Sequence, residues 1–316
     1  MRQRYVGRSG LKVSRIGLGT LTWGRDTDEH DARDQLTSFV DAGGTLVDTA
    51  VSYGDGASEE LIGSLLATTV DRDSLVLSSK AGVAPGNGDR DTSRRTLLRQ
   101  LDTSLRRLGV DHLDLWQVQT WVDEIPLEET LSALDHAVRT GRAAYVGVSN
   151  YAGWQTALAH TLQSAHDGHA PLVSTQVEYS LLNRDVELEV GPAADALGMG
   201  LLAWSPLGRG VLSGKYRSGT PADSRGASPH FERFVGVYLG ASSRQIVEAV
   251  ARAADGLQLS PTEVALAWVR DRPGVSSAIL GARTAAQLKG ALTADDVELP
   301  DEIVRALDDV SEHGEE

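Results

Sequence analysis

Leu75-Val76-Leu77-Ser78-Ser79-Lys80 and Leu113-Asp114-Leu115-Trp116-Gln117-Val118-Gln119 decide the fold, together with what lies between them. Each run is short and mostly apolar, as a buried strand requires. Between them, residues 92–108 carry Leu97, Leu98, Leu101, Leu105 and Leu108 at helical spacing, and Gly109 ends the segment. Strand then helix is one βα unit, and the second run opens the next.

Outward from this pair the alternation continues. Strands are predicted over 15–20 and 45–48 before it, and over 145–149, 173–177, 200–204 and 277–280 after it. Helices are predicted over 28–41, stopped by Gly43-Gly44, and over 127–139, stopped by Gly141. Ser260-Pro261-Thr262-Glu263 opens another helix, with a capping hydroxyl, a proline at the first position and a glutamate at the third. About eight βα units imply a parallel sheet closed as an α/β (β/α)8 TIM barrel, one domain over residues 1–316. A doubly wound open sheet is the rival. Against it, Gly17-Leu18-Gly19 lacks the third glycine of a dinucleotide-binding turn at its required spacing. Residues 5–13, with Ser9-Gly10 at the centre, read as an N-terminal hairpin, so that 1–14 cap the barrel floor. Residues 208–240 read as one long irregular loop, and 205–240 would overhang the rim.

The chain has 316 residues, 41% hydrophobic and 23% charged, the profile of a soluble globular protein. Its net charge of −14 argues against wrapping nucleic acid or docking on anionic membranes. It leaves room for an anionic small ligand in a locally basic cleft. With no cysteine, disulfides and thiolate catalysis are excluded, and no metal site is predicted. The polar N-terminus and the lack of a long apolar run point to a cytoplasmic protein.

In a barrel, function gathers at the C-terminal ends of the strands. Those ends deliver Asp48 with Tyr53, then Lys80 and Gln119. A tyrosine titrates near pH ~10, so it is a poor acid at neutrality. A neighbouring ammonium would lower that value, and an aspartate would offset the cost of burying the lysine. The three together suit a tyrosine to acid–base work. An ordinary buried Asp–Lys pair beside a tyrosine would use the same residue types.

The wider context is more specific. Asp48-Thr49-Ala50-Val51-Ser52-Tyr53-Gly54 with Ser58-Glu59, Ser79-Lys80, Gly147-Val148-Ser149-Asn150 and Trp204-Ser205-Pro206-Leu207-Gly208-Arg209-Gly210 resemble, in order, the motifs of the aldo-keto reductases. Lys215-Tyr216 and Ser224-Arg225 resemble the bacterial and potassium-channel β-subunit-like branches. The resemblance covers nearly the whole chain. It implies an NADPH-dependent barrel that reduces aldehydes or ketones, with Tyr53 protonating the carbonyl oxygen and Asp48 and Lys80 tuning it. It further implies that Trp204 stacks on the nicotinamide and that Ser149, Asn150 and Gln176 hold its carboxamide. Thr20 and Leu21 would meet the cofactor mostly through backbone. Ser205, Pro206, Leu207, Gly208, Gly210 and Lys215 would form a flap over it. Gly281, Arg283, Gln287 and Arg225 would serve the adenine end, the arginines suiting a 2′-phosphate. Trp23, Trp121, Phe231 and Tyr238 would wall the substrate pocket beside Tyr53. Oligomers are neither required nor opposed by anything in the chain.

Two departures stand out. Gln119 occupies the position usually held by histidine; an amide donates a hydrogen bond but cannot donate a proton or become cationic. Two further readings follow from it: a cofactor-binding regulator with little turnover, or reduction of an activated C=C bond. At the other end, Gly290-Ala291 replace a Glu-Asn pair common in similar chains.

Overall fold

The computed structural model of the protein describes residues 1–222 and 224–312; Asp223 and 313–316, part of the predicted domain, lie outside the described residues. The hairpin is β1 (Gln3–Tyr5) and β2 (Lys12–Ser14), shifted outward from the predicted 5–13. A closed parallel barrel follows: β3 (Ile16–Gly19), β4 (Leu46–Asp48), β5 (Val76–Ala81), β6 (Leu113–Val118), β7 (Ala143–Ser149), β8 (Leu172–Glu178), β9 (Gly200–Trp204) and β10 (Val275–Leu280). All eight strands fall where apolar runs predicted them, β7 and β10 each starting two residues early. β10 pairs with β3 through Ala278 opposite Ile16 and so closes the ring.

The helices pack outside. α1 (Glu29–Asp41) is capped by Asp28, whose side chain accepts from the Asp31 amide. α2 (Ala57–Thr68) and α3 (Arg94–Leu108) follow; Ser93 caps α3, and Gly109 ends it in the left-handed conformation. The ring continues with α4 (Leu127–Arg139), α5 (Gly153–Ser164) and α6 (Val190–Leu197). The segment predicted as one irregular loop is not structureless. It holds single helical turns at Gly208–Ser213 and Arg225–Ala227 and a short α7 (Glu232–Gly236). After it come α8 (Ala241–Leu257), α9 (Pro261–Arg270), α10 (Ala285–Leu292) and α11 (Asp301–Ser311), with the predicted Ser260–Glu263 capping box at the start of α9.

The barrel lumen is graded. Its floor is apolar: Val6, Leu11 and Val13 of the hairpin region pack on Leu46, Leu115, Leu202 and Ile279 from the strands. Above them the inward positions turn polar, with Ser78, Gln117 and Ser174 buried beneath Asp48, Lys80 and Gln176. That gradient places Asp48 and Lys80 at the C-terminal rim, where barrel sites form. Among the described residues, no helix is long and apolar enough to cross a membrane.

Candidate active site

Asp48 is the last residue of β4, Lys80 lies near the end of β5, and Gln119 follows β6. Lys80 Nζ donates to Asp48 Oδ2 at 2.6 Å and to the Thr49 carbonyl at 2.7 Å. The other carboxylate oxygen, Oδ1, accepts from Ser78 Oγ and from Gln176 Nε2, each at 3.0 Å. Behind Ser78 the chain of bonds continues: Gln117 Nε2 donates to Ser78 Oγ, and Ser174 Oγ donates to Gln117 Oε1, both at 3.2 Å. Asp48 is therefore held on both oxygens and is 2% exposed, so its charge is satisfied without water.

Tyr53 follows β4 and opens a tight turn, Tyr53–Gly56, whose Gly54 and Asp55 have left-handed backbone. Lys80 Nζ lies 5.2 Å from its ring centroid. The phenol is not shifted as the sequence suggested. Burial pushes it above the ordinary tyrosine value; the Lys80 charge pulls it down, and the Asp48 charge pushes it up again. The physical reason is burial first, and then the ion pair at 2.6 Å. The phenol meets a nearly compensated Asp–Lys pair instead of a bare ammonium, and loss of water outweighs the remaining attraction. Burial alone would push the Lys80 ammonium down, but Asp48 and Tyr53 more than reverse this and raise it. The resulting arrangement is a neutral phenol, retaining its proton, beside a fixed cation. This suits a proton donor to a developing alkoxide.

Gln119 Oε1 accepts from Ser52 Oγ at 3.3 Å, and its backbone carbonyl accepts from Asn150 Nδ2 at 2.9 Å. With the oxygen so used, the amide NH₂ is the end suited to polarise a carbonyl. Asn150 also accepts, through Oδ1, from Trp204 Nε1 at 3.0 Å. One asparagine thus braces both the Gln119 backbone and the indole. It does so from a left-handed backbone, φ 57°, and Ser205 has a similar φ of 52°. Such strain in non-glycine residues tends to persist at functional sites.

These residues line one cavity of about 680 Å³. Thr20, Leu21, Asp48, Tyr53, Lys80, Gln119, Ser149, Asn150, Gln176, Trp204, Ser205, Pro206, Leu207, Gly210, Lys215, Arg225, Gly281, Arg283 and Gln287 all reach it, as do Gly290 and Ala291. Gly208 does not line it, and its Cα faces Leu182. Ser149 Oγ donates to the Gln176 carbonyl at 2.8 Å, so two of the residues expected at a carboxamide also tie the rim together.

The predicted aromatic walls are elsewhere. Trp23 is wholly buried and donates its indole N–H to Gln35 Oε1, because its loop folds inward onto α1. Trp121 stacks edge-on against Tyr151 and Trp154, and its indole donates to Asp123. Phe231 is buried between His230 and Arg25, and the Tyr238 hydroxyl accepts from Asn183. None of the four lines the cavity; Trp204, Pro206, Leu21, Phe234 and Ile279 supply its apolar surface instead.

Sequence reasoning missed Arg209. It lines the cavity, forks onto Glu178 at 2.8 and 2.5 Å, and donates to the Phe234 carbonyl at 2.7 Å. Its guanidinium carbon lies 4.0 Å from the Phe234 ring centroid. The rim-crossing segment is thereby pinned to the end of β8. An acid ending one strand and an arginine inside a glycine-rich turn were the available signal. Ser260, Thr262 and Glu263 at the start of α9 are further wall residues without a predicted role.

The far end of the cavity is cationic. Arg283 Nε is buried with no hydrogen-bond partner among the described residues. Burial, with Arg283 and Arg25 repelling it, holds the Arg225 guanidinium below its usual range despite Tyr216 and Asp26 nearby. An orphaned donor beside a destabilised cation is a site that an anion would complete.

Comparison with known proteins agrees with this geometry. The model of the "Aldo/keto reductase family" matches residues 15–312. The chain is 36% identical to "Uncharacterized oxidoreductase YrpG" of Bacillus subtilis, over 98% of this chain and 96% of that one. It is 34% identical to "Probable voltage-gated potassium channel subunit beta" of Oryza sativa, over 94% of this chain and 92% of that one. It is 35% identical to "L-glyceraldehyde 3-phosphate reductase" of Escherichia coli O157:H7, over 92% of this chain and 86% of that one.

Proposed function

From the premise that this chain belongs to the aldo/keto reductase family of oxidoreductases, we propose that it reduces aldehydes or ketones to alcohols with NADPH, using Tyr53 as the acid. The observation that carries this reading is the Asp48–Lys80 pair at 2.6 Å beside the Tyr53 ring, in a cavity whose other end is cationic. NADPH, when bound, supplies a hydride to the carbonyl carbon. The residues present fit it: Trp204 offers a ring face, and the unpaired Arg283 Nε with Arg225 offers the charge that a 2′-phosphate needs. Lys215 and Gly210, where the glycine-rich turn meets the cavity, suit close approach to a pyrophosphate.

Within this chain the work divides as follows. Gln119 orients and polarises the substrate oxygen through its amide. Tyr53 gives that oxygen its proton. Lys80 stabilises the phenolate left behind, and Asp48, held by Ser78 and Gln176, keeps Lys80 charged in a buried place. Metals have no part in this scheme.

Arg283→Met tests the cofactor. Loss of a charge-assisted bond to a 2′-phosphate is expected to weaken NADPH binding about tenfold to hundredfold, with NADH binding unchanged. Quenching of tryptophan fluorescence measures both constants; equal losses for the two nucleotides would assign Arg283 elsewhere.

A second reading has its own support. The amide at Gln119 cannot become cationic, and one similar protein bears the name of a channel subunit, so slow turnover in an NADPH-linked regulator is the alternative. Gln119→His separates the two. In a weakened carbonyl reductase, a histidine is expected to raise kcat/KM on a panel of aldehydes by up to about 10²-fold, the scale of one well-placed donor. No gain on any aldehyde, with NADPH binding intact, favours the regulator. Product analysis on an α,β-unsaturated ketone shows whether the C=C or the C=O bond is reduced.

A further inference from the structure

We propose that Arg107, anchored by Glu59, is a positioning residue that fixes Tyr53 relative to Lys80, so that proton donation depends on it and cofactor binding does not. The inference rests on Tyr53 being the acid proposed above. Neither Arg107 nor Glu59 touches the cavity.

The need for such a clamp comes from the backbone. Tyr53 is not on a regular helix. The three residues after it, Gly54, Asp55 and Gly56, all have positive φ, 56°, 58° and 103°. Turn bonds such as Tyr53 N–H to the Ala50 carbonyl and Asp55 N–H to the Ser52 carbonyl hold the loop locally, and Val51 N–H reaches the Lys80 carbonyl at 3.0 Å. The left-handed run nevertheless continues no regular ladder past the phenol, so its placement rests on how the loop is packed. A shift on the order of 1 Å at a reacting group costs about 10²-fold in rate.

Arg107 supplies what the loop lacks. From the last turn of α3 its Nη1 donates to the Val51 carbonyl at 3.1 Å, and its Nη2 reaches the Asp55 carbonyl at 3.5 Å. Those carbonyls lie two residues before and two residues after Tyr53. One planar guanidinium therefore grips the loop on both sides of the phenol, which the single ammonium of a lysine would do less well. Gly56 completes the fit: a Cβ there would stand 2.2 Å from Arg107 Cζ, so the loop lies flat on the guanidinium.

Glu59 ties this grip to the lysine. Its carboxyl is wholly buried; Oε2 lies 3.3 Å from Arg107 Nη1, and Oε1 accepts from Ser79 Oγ at 2.7 Å. Ser79 immediately precedes Lys80 on β5. The loop bearing the acid and the strand bearing its cation thus share one carboxylate between them. Were Arg107 needed only to pack α3 on α2, its donors would have no reason to end on carbonyls of the Tyr53 loop.

The test compares Arg107→Ala, Arg107→Lys and Tyr53→Phe with the parent, all full length, on 4-nitrobenzaldehyde with NADPH. For Arg107→Ala we expect kcat to fall about 10²-fold, with the NADPH dissociation constant and KM nearly unmoved. We also expect a larger solvent isotope effect, as proton transfer becomes slower, and partial recovery on adding guanidinium ion. Arg107→Lys should lie between. An unchanged kcat overturns the proposal. So does a joint loss of kcat, cofactor affinity and melting temperature that guanidinium does not relieve, since that marks a merely structural residue. If Arg107→Ala does not fold, Glu59→Gln and Arg107→Lys are judged by the same readings. Full activity in Tyr53→Phe, or no turnover by the parent, would defeat the acid assignment itself. An inactive Tyr53→Phe beside an undiminished Arg107→Ala would defeat the clamp alone.

Discussion

Tyr53→Phe is expected to lower kcat for carbonyl reduction by about 10²–10⁴-fold, the range that a positioned general acid contributes. NADPH affinity should be retained, because the change removes one oxygen and leaves the ring wall of the cavity in place. The pH profile sharpens the expectation. An acid works while it holds its proton, and burial raises the Tyr53 value above that of ordinary tyrosine. Reduction by the parent should therefore stay level through neutral pH and decline only in the strongly alkaline range. Stopped-flow measurement of NADPH oxidation across pH would show this limb. A decline near neutrality would mean that another group donates the proton.

Lys80→Met is the second large effect, and it falls on stability as well as rate. Removing one partner of a buried ion pair leaves the other charge uncompensated, at a cost of about 3–5 kcal/mol. Here Asp48 would keep its bonds from Ser78 and Gln176 but lose the cation it pairs with, 2.6 Å away. Urea denaturation should report the loss, and adding Asp48→Asn to Lys80→Met should recover part of it. The sign with pH follows from the raised Lys80 value. A raised ammonium contributes stability that is fully present below the ordinary lysine value of about 10.4 and is lost as pH rises past the folded value. The parent's advantage over Lys80→Met should thus shrink in strong alkali, and it should also narrow in acid, where the stranded Asp48 of the variant can take up a proton, the change that Asp48→Asn imitates. An advantage that persisted undiminished in strong alkali would contradict the pairing. Activity should fall too, since the phenolate formed on donation would lose its stabilising charge.

Much of this was legible in the residues. Strands buried on both faces read as short, mostly apolar runs, so all eight stood out, and Gly43, Gly109 and Gly141 marked helix ends because left-handed caps favour glycine. Asp48, Lys80 and Gln119 were found because strand ends form the barrel's rim. What remained hidden depended on where loops fold. Trp23 follows a strand, as a rim aromatic would, yet its loop turns inward and its indole finds Gln35. Arg209 looked like one more charge in a flexible flap until Glu178 stood opposite it. The lowered phenol expected from residue types became a raised one, because types do not disclose how completely the ring is buried, nor that Asp48 offsets part of the ammonium's pull. Gln117 could have been found: it is two residues before Gln119, and strand alternation puts both on the lumen side.

The apolar floor sets the traffic of the molecule. Val6, Leu11 and Val13 stopper the barrel from below, leaving a cup with a single mouth instead of a tube. Whatever lies deepest must arrive before what lies above it and can leave only after it. In the reaction proposed above, cofactor and carbonyl compound would share one doorway, beside the segment that Arg209 pins to Glu178. For that reaction, order of occupancy would be a matter of plumbing, set by N-terminal residues at the closed end.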